Sequence, residues 1–370
     1  MRGTVALLWL MLASAAAAQP VGSDLHASPA WMKTDRAGHP AGDANAPVDG
    51  FTPSDLRDAY KIATDGSSDT VIAVIQPFGY RKAEADLGVY RATFGLPECT
   101  TANGCFKTFN QHGRQQDYRK QDVSWGIVSA LMLDMASAMC PNCRLWLVEA
   151  RDNYANHLAR AVDTAAALGA HVIAIDYVGV ANEQSYALDR HYTHSGVAVV
   201  APLVDNINGT LPYPAASPHV TAVGGTFLTR DGSARGWSET GGMNTGGCTD
   251  FEKPEWQTDS GCAKRTIGDV AAMATPGAAI YAPRNKRRSR WYVYGGTAAS
   301  AGIIAGIYGA NGGTVTYGKT IYDHPEALFD VTSGIDVHCN PVSYLCQSGP
   351  GYDGPTGLGT PNGIAAFGDP

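Results

Sequence analysis

Thr70-Val71-Ile72-Ala73-Val74-Ile75-Gln76 is an unbroken apolar run between two polar residues. A strand wetted on one face alternates apolar and polar side chains. A run without alternation is expected of a strand buried on both faces, as in a parallel sheet. Working outward, the pattern predicts a helix over 83–94, a long apolar helix over 125–139 and a strand over 144–150. An Ala-rich helix (156–168), a strand (171–177), a helix (183–193) and a strand (196–202) follow. Helices alternating with buried strands predict an α/β fold, a parallel sheet covered on both faces. Such sheets carry their functional groups in loops at the carboxyl ends of strands. Residues 205–290 read as turn-rich with short strands such as 219–223, and a second apolar helix runs from near Thr297 to about Tyr308. The C-terminal part is Gly-rich with spaced aspartates, and no internal repeat, coiled coil or second domain boundary is visible.

The chain has 370 residues, 44% hydrophobic and 16% charged, enough for one large domain; 43 Gly and 21 Pro imply many turns. A net charge of -7 gives no electrostatic case for nucleic acid or an anionic membrane. The cluster from Arg284 to Arg290 is the local exception and reads as a solvated loop or a patch for an anionic ligand. At the N-terminus, Arg2, a short apolar run over 5–13 and Ala16-Ala17-Ala18 before Gln19 read as a secretory signal over 1–18. The expected product is an exported monomer without a membrane span, extracellular or periplasmic. Residues 19–50 read as a flexible leader and 51–370 as the globular domain. Asn208-Gly209-Thr210 fits a glycosylation sequon by pattern.

Eight cysteines suit an oxidising compartment and fall into four close pairs. Disulfides between neighbours are the simplest assignment: Cys99 with Cys105, Cys140 with Cys143, Cys248 with Cys262, and Cys339 with Cys346. A zinc site would need ligands converging from separate segments. Cys140-Pro141-Asn142-Cys143 follows a helix instead of opening one, and so lacks the helix N-terminus that lowers a thiol pKa in redox motifs.

Trp291-Tyr292-Val293-Tyr294 leads into Gly295-Gly296-Thr297-Ala298-Ala299-Ser300. A strand entering a Gly-Gly turn and a helix of small residues is the backbone that presents a serine nucleophile. Such a site also needs a base within reach and donors for the oxyanion. Here alanine stands where the hydroxyl would be. An ordinary strand-to-helix turn has the same local pattern.

The C-terminal stretches LFDVTSG (328–334) and GPGYDGPTGLGTP (349–361) are more specific. With AEADLGVYRATFGLPECTTANGCF (83–106), PYPAASPHVTAVGGTF (212–227), RGWSET (235–240) and KPEWQT (253–258), the chain resembles the secreted bacterial sedolisins, or serine-carboxyl peptidases. The likeness covers about residues 51–368. It implies a subtilisin-like, doubly wound, mostly parallel sheet with helices on both faces and a C-terminal calcium site. Sedolisins use a serine with a glutamate and an aspartate four apart on one helical face, and an aspartate from another loop at the oxyanion hole. Aligned through Trp125 and Met135-Ala136-Ser137-Ala138, the glutamate position is Val128, the aspartate position Met132 and the nucleophile position Ala298. The proline usual after the serine is Gly302. The oxyanion aspartate is retained as Asp205, in a Leu203-Val204-Asp205 setting.

Substitutes nearby are unpromising. Asp134 follows Met132 by two residues, about 200° around the helix, and is expected to be a solvated surface acid. Ser300 reads as a packing or helix-turn residue, and Ser124 and Asp122 precede the helix. Asp176 is an added carboxylate at a strand end, open to solvation, pairing with an Arg or an altered pocket. The resemblance also implies a Ca2+ held by the side chains of Asp330 and Asp353 and the carbonyls of Val331, Gly349 and Gly351, a donor set suited to a hard cation. The expected function is a secreted pseudopeptidase, a calcium-stabilised scaffold for an extended peptide or unfolded protein. The alternatives are an acidic endopeptidase with a displaced nucleophile, and a surface protein binding anionic polymers through the basic loop.

Overall fold

The computed structural model describes residues 26–29, 32–33, 50–115, 118, 120–175, 177–204, 211–313, 315–336, 339 and 343–369. The expected signal over 1–18, most of the leader, Asp176, Asp205 and the sequon at 208–210 lie outside the described residues.

The strands in chain order are β1 (Ser28–Pro29), β2 (Met32–Lys33), β3 (Val71–Pro77), β4 (Phe106–Asn110), β5 (Arg144–Ala150), β6 (Val172–Ile175), β7 (Tyr177–Val180), β8 (Ala198–Pro202), β9 (Pro212–Tyr213), β10 (Thr221–Arg230) and β11 (Trp237–Thr240). They continue with β12 (Gly247–Cys248), β13 (Thr266–Ile267), β14 (Val270–Thr275), β15 (Ala278–Pro283), β16 (Ser289–Gly295), β17 (Leu328–Phe329) and β18 (Thr360–Pro361). The helices are α1 (Pro53–Ala59), α2 (Ala83–Thr93), α3 (Val123–Met139), α4 (Ala155–Ala167), α5 (Glu183–Tyr186), α6 (Thr297–Asn311) and α7 (Lys319–Asp323).

The central sheet has the order β11-β10-β8-β6-β3-β5-β4, with β14 also paired to β10. Every pair is parallel except β10 with β11. The expected doubly wound architecture is present. β3 sits at its centre and explains its own sequence. Ile72 and Val74 enter one apolar cluster with α3 and α6, while Val71, Ala73 and Ile75 enter the opposite cluster with α4. Two buried faces leave no position for a polar residue before Gln76, at the carboxyl end.

The helices differ in the same way. α4 buries only a stripe, Leu158, Ala159, Ala161, Val162 and Ala165, as a surface helix should. α3 and α6 show no polar stripe and are buried almost throughout, with Ser129, Asp134 and Ser137 the buried polar residues of α3. They pack on each other, and Gly302 and Gly306 make this possible. A Cβ at 302 would come within 2.9 Å of Met135 Cβ, and one at 306 within 2.6 Å of Met139 Cβ.

The four neighbouring disulfides form as expected: Cys99–Cys105, Cys140–Cys143, Cys248–Cys262 and Cys339–Cys346. Among the described residues no helix is long and apolar enough to cross a membrane.

Three expectations need correction. The helix over 183–193 is broken into α5 and a 3₁₀ turn at Asp189–Tyr192, which turns Tyr192 inward to meet the Tyr177 hydroxyl at 3.0 Å. Parts of the expected leader are ordered strands: β1 pairs antiparallel with β7, and β2 with β16. Strand edges there offer backbone groups that a neighbouring extended segment can satisfy.

The third correction is Asp134, which is buried, 1% exposed, and faces β15. Its Oδ2 accepts the Tyr281 N–H at 3.1 Å, and its Oδ1 has no partner among the described residues. Burial pushes this carboxyl well above its usual range, opposed in part by the Tyr281 N–H. A carboxyl whose folded-state pKa is raised binds its proton more tightly folded than unfolded. Stability is therefore lost as pH rises from the unfolded value near 4 toward the folded one. Asp134→Asn should match the natural protein in thermal stability at pH 4 and exceed it at pH 8, by on the order of 1–3 kcal/mol. An equal difference at both pH values would show that Asp134 does not titrate in this way.

Candidate functional site

β16 rises against the end of β14 and turns into α6. The Gly296 N–H donates to the Ala274 carbonyl at 2.8 Å, and a Cβ at Gly295 would lie 1.9 Å from that oxygen. Gly296 has φ +86°, a conformation open to glycine. Ala298 is the second residue of α6, directly past this turn, with no exposed surface.

Val128 and Met132 lie one turn apart on α3, and both are fully buried. The Met132 Cα would be 3.2 Å from a Cβ on Gly302, which shares a helical face with Ala298. The three positions that the resemblance assigned to catalysis all belong to the same large buried core, with α3 packed on α6 at Met132 and Gly302. None of the three side chains can accept a proton or attack a carbonyl. Asp205 lies outside the described residues; the Leu203 N–H just before it is engaged by the Val223 carbonyl at 2.8 Å.

The polar groups around this cluster are committed elsewhere. The Ser300 hydroxyl donates to the carbonyls of Ala272 (2.9 Å) and Met273 (3.2 Å). Asp122 caps α3, accepting from the N–H groups of Ser124 (2.9 Å) and Trp125 (3.2 Å), a common helix-start role. Ser124 is exposed at that end. Sequence reasoning passed over two groups. Gln76, at the carboxyl end of β3, accepts from the Ser129 hydroxyl and donates to the Phe78 carbonyl at 3.2 Å. Glu149, at the carboxyl end of β5, is fully buried and joins two loops, accepting the N–H groups of Tyr80 (2.8 Å) and Tyr118 (2.9 Å). Both are polar residues ending an apolar strand, and that pattern could have marked them.

At the C-terminal end, Asp330 Oδ2 accepts the Gly351 N–H at 2.9 Å, and Asp353 Oδ2 accepts the Gly349 N–H at 3.0 Å. Asp353 Oδ1 takes the N–H and hydroxyl of Thr356 at 2.8 and 2.9 Å. Burial raises the Asp353 carboxyl to about 6, and Asp330 adds to the rise. The carbonyls of Val331, Gly349 and Gly351 accept no hydrogen bond from the described backbone. No group of three or more His, Cys, Asp or Glu suited to a metal occurs among the described residues. A cation here would therefore draw on two carboxylates plus carbonyls, a donor set that fits calcium and not zinc.

The basic cluster forms the tip of the β15–β16 hairpin. Asn285 Oδ1 accepts the N–H groups of Arg287 (2.8 Å) and Arg288 (3.0 Å), and residues 284–288 are exposed. Gly79, Lys82, Asp122, Pro283 and Lys286 line a shallow cleft at its foot.

No family model matches the sequence. Among curated proteins it is similar to kumamolisin of Bacillus sp. (strain MN-32), 28% identical over 360 residues, covering 85% of this chain and 62% of that protein. It is also similar to tripeptidyl-peptidase sed1 of Aspergillus fumigatus, 26% identical over 193 residues, covering 40% of this chain and 29% of that one. The chain thus spans less than two thirds of the length of these relatives. Among solved structures, the fold matches Pseudomonas sedolisin, a serine-carboxyl proteinase complexed with two molecules of pseudo-iodotyrostatin. The TM-score is 0.69 at 21% identity, over 85% of this chain and 96% of that one. Fervidolysin from Fervidobacterium pennivorans, a keratinolytic enzyme related to subtilisin, matches with a TM-score of 0.55 at 15% identity, over 94% of this chain and 51% of that one. The chain is thus similar in sequence to kumamolisin over most of its own length, and its fold is that of Pseudomonas sedolisin.

Proposed function

We propose that this sedolisin homologue is an exported pseudopeptidase, a calcium-stabilised scaffold that binds an extended peptide or unfolded protein without cutting it. The observation that carries the reading is that Val128, Met132 and Ala298 are apolar and fully buried in the same core. Removing all three catalytic residues of subtilisin costs about 10⁶ in rate, a figure measured on that enzyme, and what survives is binding and oxyanion stabilisation. An extended peptide can still add to a strand edge through backbone hydrogen bonds, which need no nucleophile. Four disulfides accord with export.

The competing reading is an acidic endopeptidase with a displaced nucleophile. Ser300 and Asp122, its nearest resources, are already engaged. A basic-loop surface protein is a third reading, and salt-sensitive binding to anionic polymers would favour it.

The natural protein should give no cleavage of denatured protein between pH 3 and 8. The triple variant Val128→Glu, Met132→Asp, Ala298→Ser should cut at acid pH while keeping its fold by circular dichroism. Cleavage by the natural protein would establish a displaced nucleophile.

Asp330, Asp353 and the carbonyls of Val331, Gly349 and Gly351 would hold the calcium, whose chemistry is structural: it neutralises two facing carboxylates and ties 328–331 to 349–353. Calcium at about 100 times its Kd should add about 2.7 kcal/mol to stability, read as a rise in Tm reversed by a chelator. Asp330→Asn and Asp353→Asn should each abolish most of that rise. A calcium response retained in both variants would remove the metal from this site.

A further inference from the structure

The tip of the β15–β16 hairpin gathers Arg284, Lys286, Arg287, Arg288 and Arg290 within a few residues. Elsewhere cations meet acids, as Arg57 meets Asp65 at 2.8 Å and Lys253 meets Asp259 at 2.9 Å. None of the hairpin cations forms an ion pair among the described residues. The hairpin that presents them is tied down at several points. The N–H groups of Arg284 and Asn285 both donate to the Arg288 carbonyl, at 2.8 and 3.1 Å. One residue on, the Ser289 hydroxyl donates to Asp86 Oδ2 at 2.7 Å and accepts from Lys82 Nζ at 2.7 Å. Asp86 is buried and also takes the Tyr80 hydroxyl at 2.8 Å. Side chains alternate across a strand, so Ser289 and buried Trp291 share one face of β16 while Arg290 and Tyr292 share the other. The Arg290 guanidinium lies over the Tyr292 ring at 4.4 Å, and its Nε has no hydrogen-bond partner among the described residues.

We propose that this hairpin arm binds a short acidic segment of the polypeptide partner. The inference rests on the peptide-binding reading above and adds the class of peptide. Arginine predominates on the arm, and its planar guanidinium pairs two-pronged with a carboxylate, which a lysine ammonium cannot do. The turn hydrogen bonds and the anchored Ser289 fix the backbone before a partner arrives, which reduces the ordering that binding demands. The length of the segment follows from screening. At physiological salt, charges more than about 8 Å apart largely ignore each other, so the arm responds to the charges seated on it. The chain as a whole carries a net charge of -7. A polyanion charged along its whole length, such as a nucleic acid or a sulfated polysaccharide, therefore runs from the arm onto an acidic body. A peptide whose acids are confined to one stretch does not. β16 covers Ser289–Gly295, so the arm stands about 20 Å, or about six extended residues, from the turn into α6.

The test uses the full chain and a triple variant, Lys286→Gln, Arg287→Gln and Arg288→Gln, whose altered side chains make no hydrogen bond among the described residues. The probes are two fluorescent synthetic peptides, one alternating Thr and Glu, the other with Gln for every Glu. Binding is read by fluorescence anisotropy at neutral pH and about 0.15 M salt, with circular dichroism and Tm as controls for folding. The natural protein should bind the Glu peptide at least about tenfold more tightly than the Gln peptide, the gain expected of several exposed charge pairs together. The triple variant should lose that preference and keep its affinity for the Gln peptide. Independently of any mutation, raising the salt to about 0.5 M should erase the preference of the natural protein. Equal binding of both peptides by the natural protein overturns the inference and leaves the peptide-binding reading in place. A preference that survives in the folded variant, or that salt does not weaken, also overturns it. Binding of oligothymidylate or dextran sulfate where neither peptide binds overturns the inference and the peptide-binding reading together, as does failure of every probe to bind.

Discussion

The direct contact between α3 and α6 is the constraint on which the rest depends. Residues 302 and 306 carry no Cβ, so α6 lies against α3 at a distance that even alanine would exceed. The contact brings the face of α6 that starts at Ala298 onto the face of α3 that holds Met132. It also fixes where β16 must end. The Gly295-Gly296 turn follows, because the chain has to clear the Ala274 carbonyl before the helix can begin.

An interface this closed has consequences for chemistry. A carboxylate or hydroxyl placed in it needs a partner, since an unpaired buried polar group costs about 1–3 kcal/mol, and more when charged. Val128, Met132 and Ala298 make no such demand and pack as core residues. The polar groups that remain nearby hold structure together: Asp122 starts α3, Ser300 ties α6 to β14, and Gln76 joins Ser129 to the loop after β3. On this account the scaffold outlasted the reaction.

The sheet was legible because buried strands must be uniformly apolar, and β3, β5, β6 and β8 all announce themselves in that way. β10 does not. Its centre is Gly224-Gly225, which reads as a turn. Both glycines are demanded by distant neighbours: a Cβ at 224 would meet the Pro355 carbonyl at 2.2 Å, and one at 225 the Ala274 Cβ at 2.6 Å. Asp134 was misjudged for a related reason. Its partner, the Tyr281 N–H, is 147 residues away, so local spacing showed only a charge on a helix. The leader strands are two residues each and carry no period; only the edges of β7 and β16 give them a place. At the candidate site, helical spacing shows that positions 128 and 132 share a face. Their roles came from family resemblance, because apolar residues on an apolar helix look like core.

The central claim is that no live nucleophile stands at the mouth of α6. Its most direct test is ¹³C NMR at acid pH with a peptide aldehyde labelled at the aldehyde carbon, added to the natural protein. The account predicts signals from the free aldehyde and its hydrate alone. A protein-bound hemiacetal signal, displaced by unlabelled inhibitor, would mean that a hydroxyl in this chain attacks carbonyl carbon, and the account would be wrong.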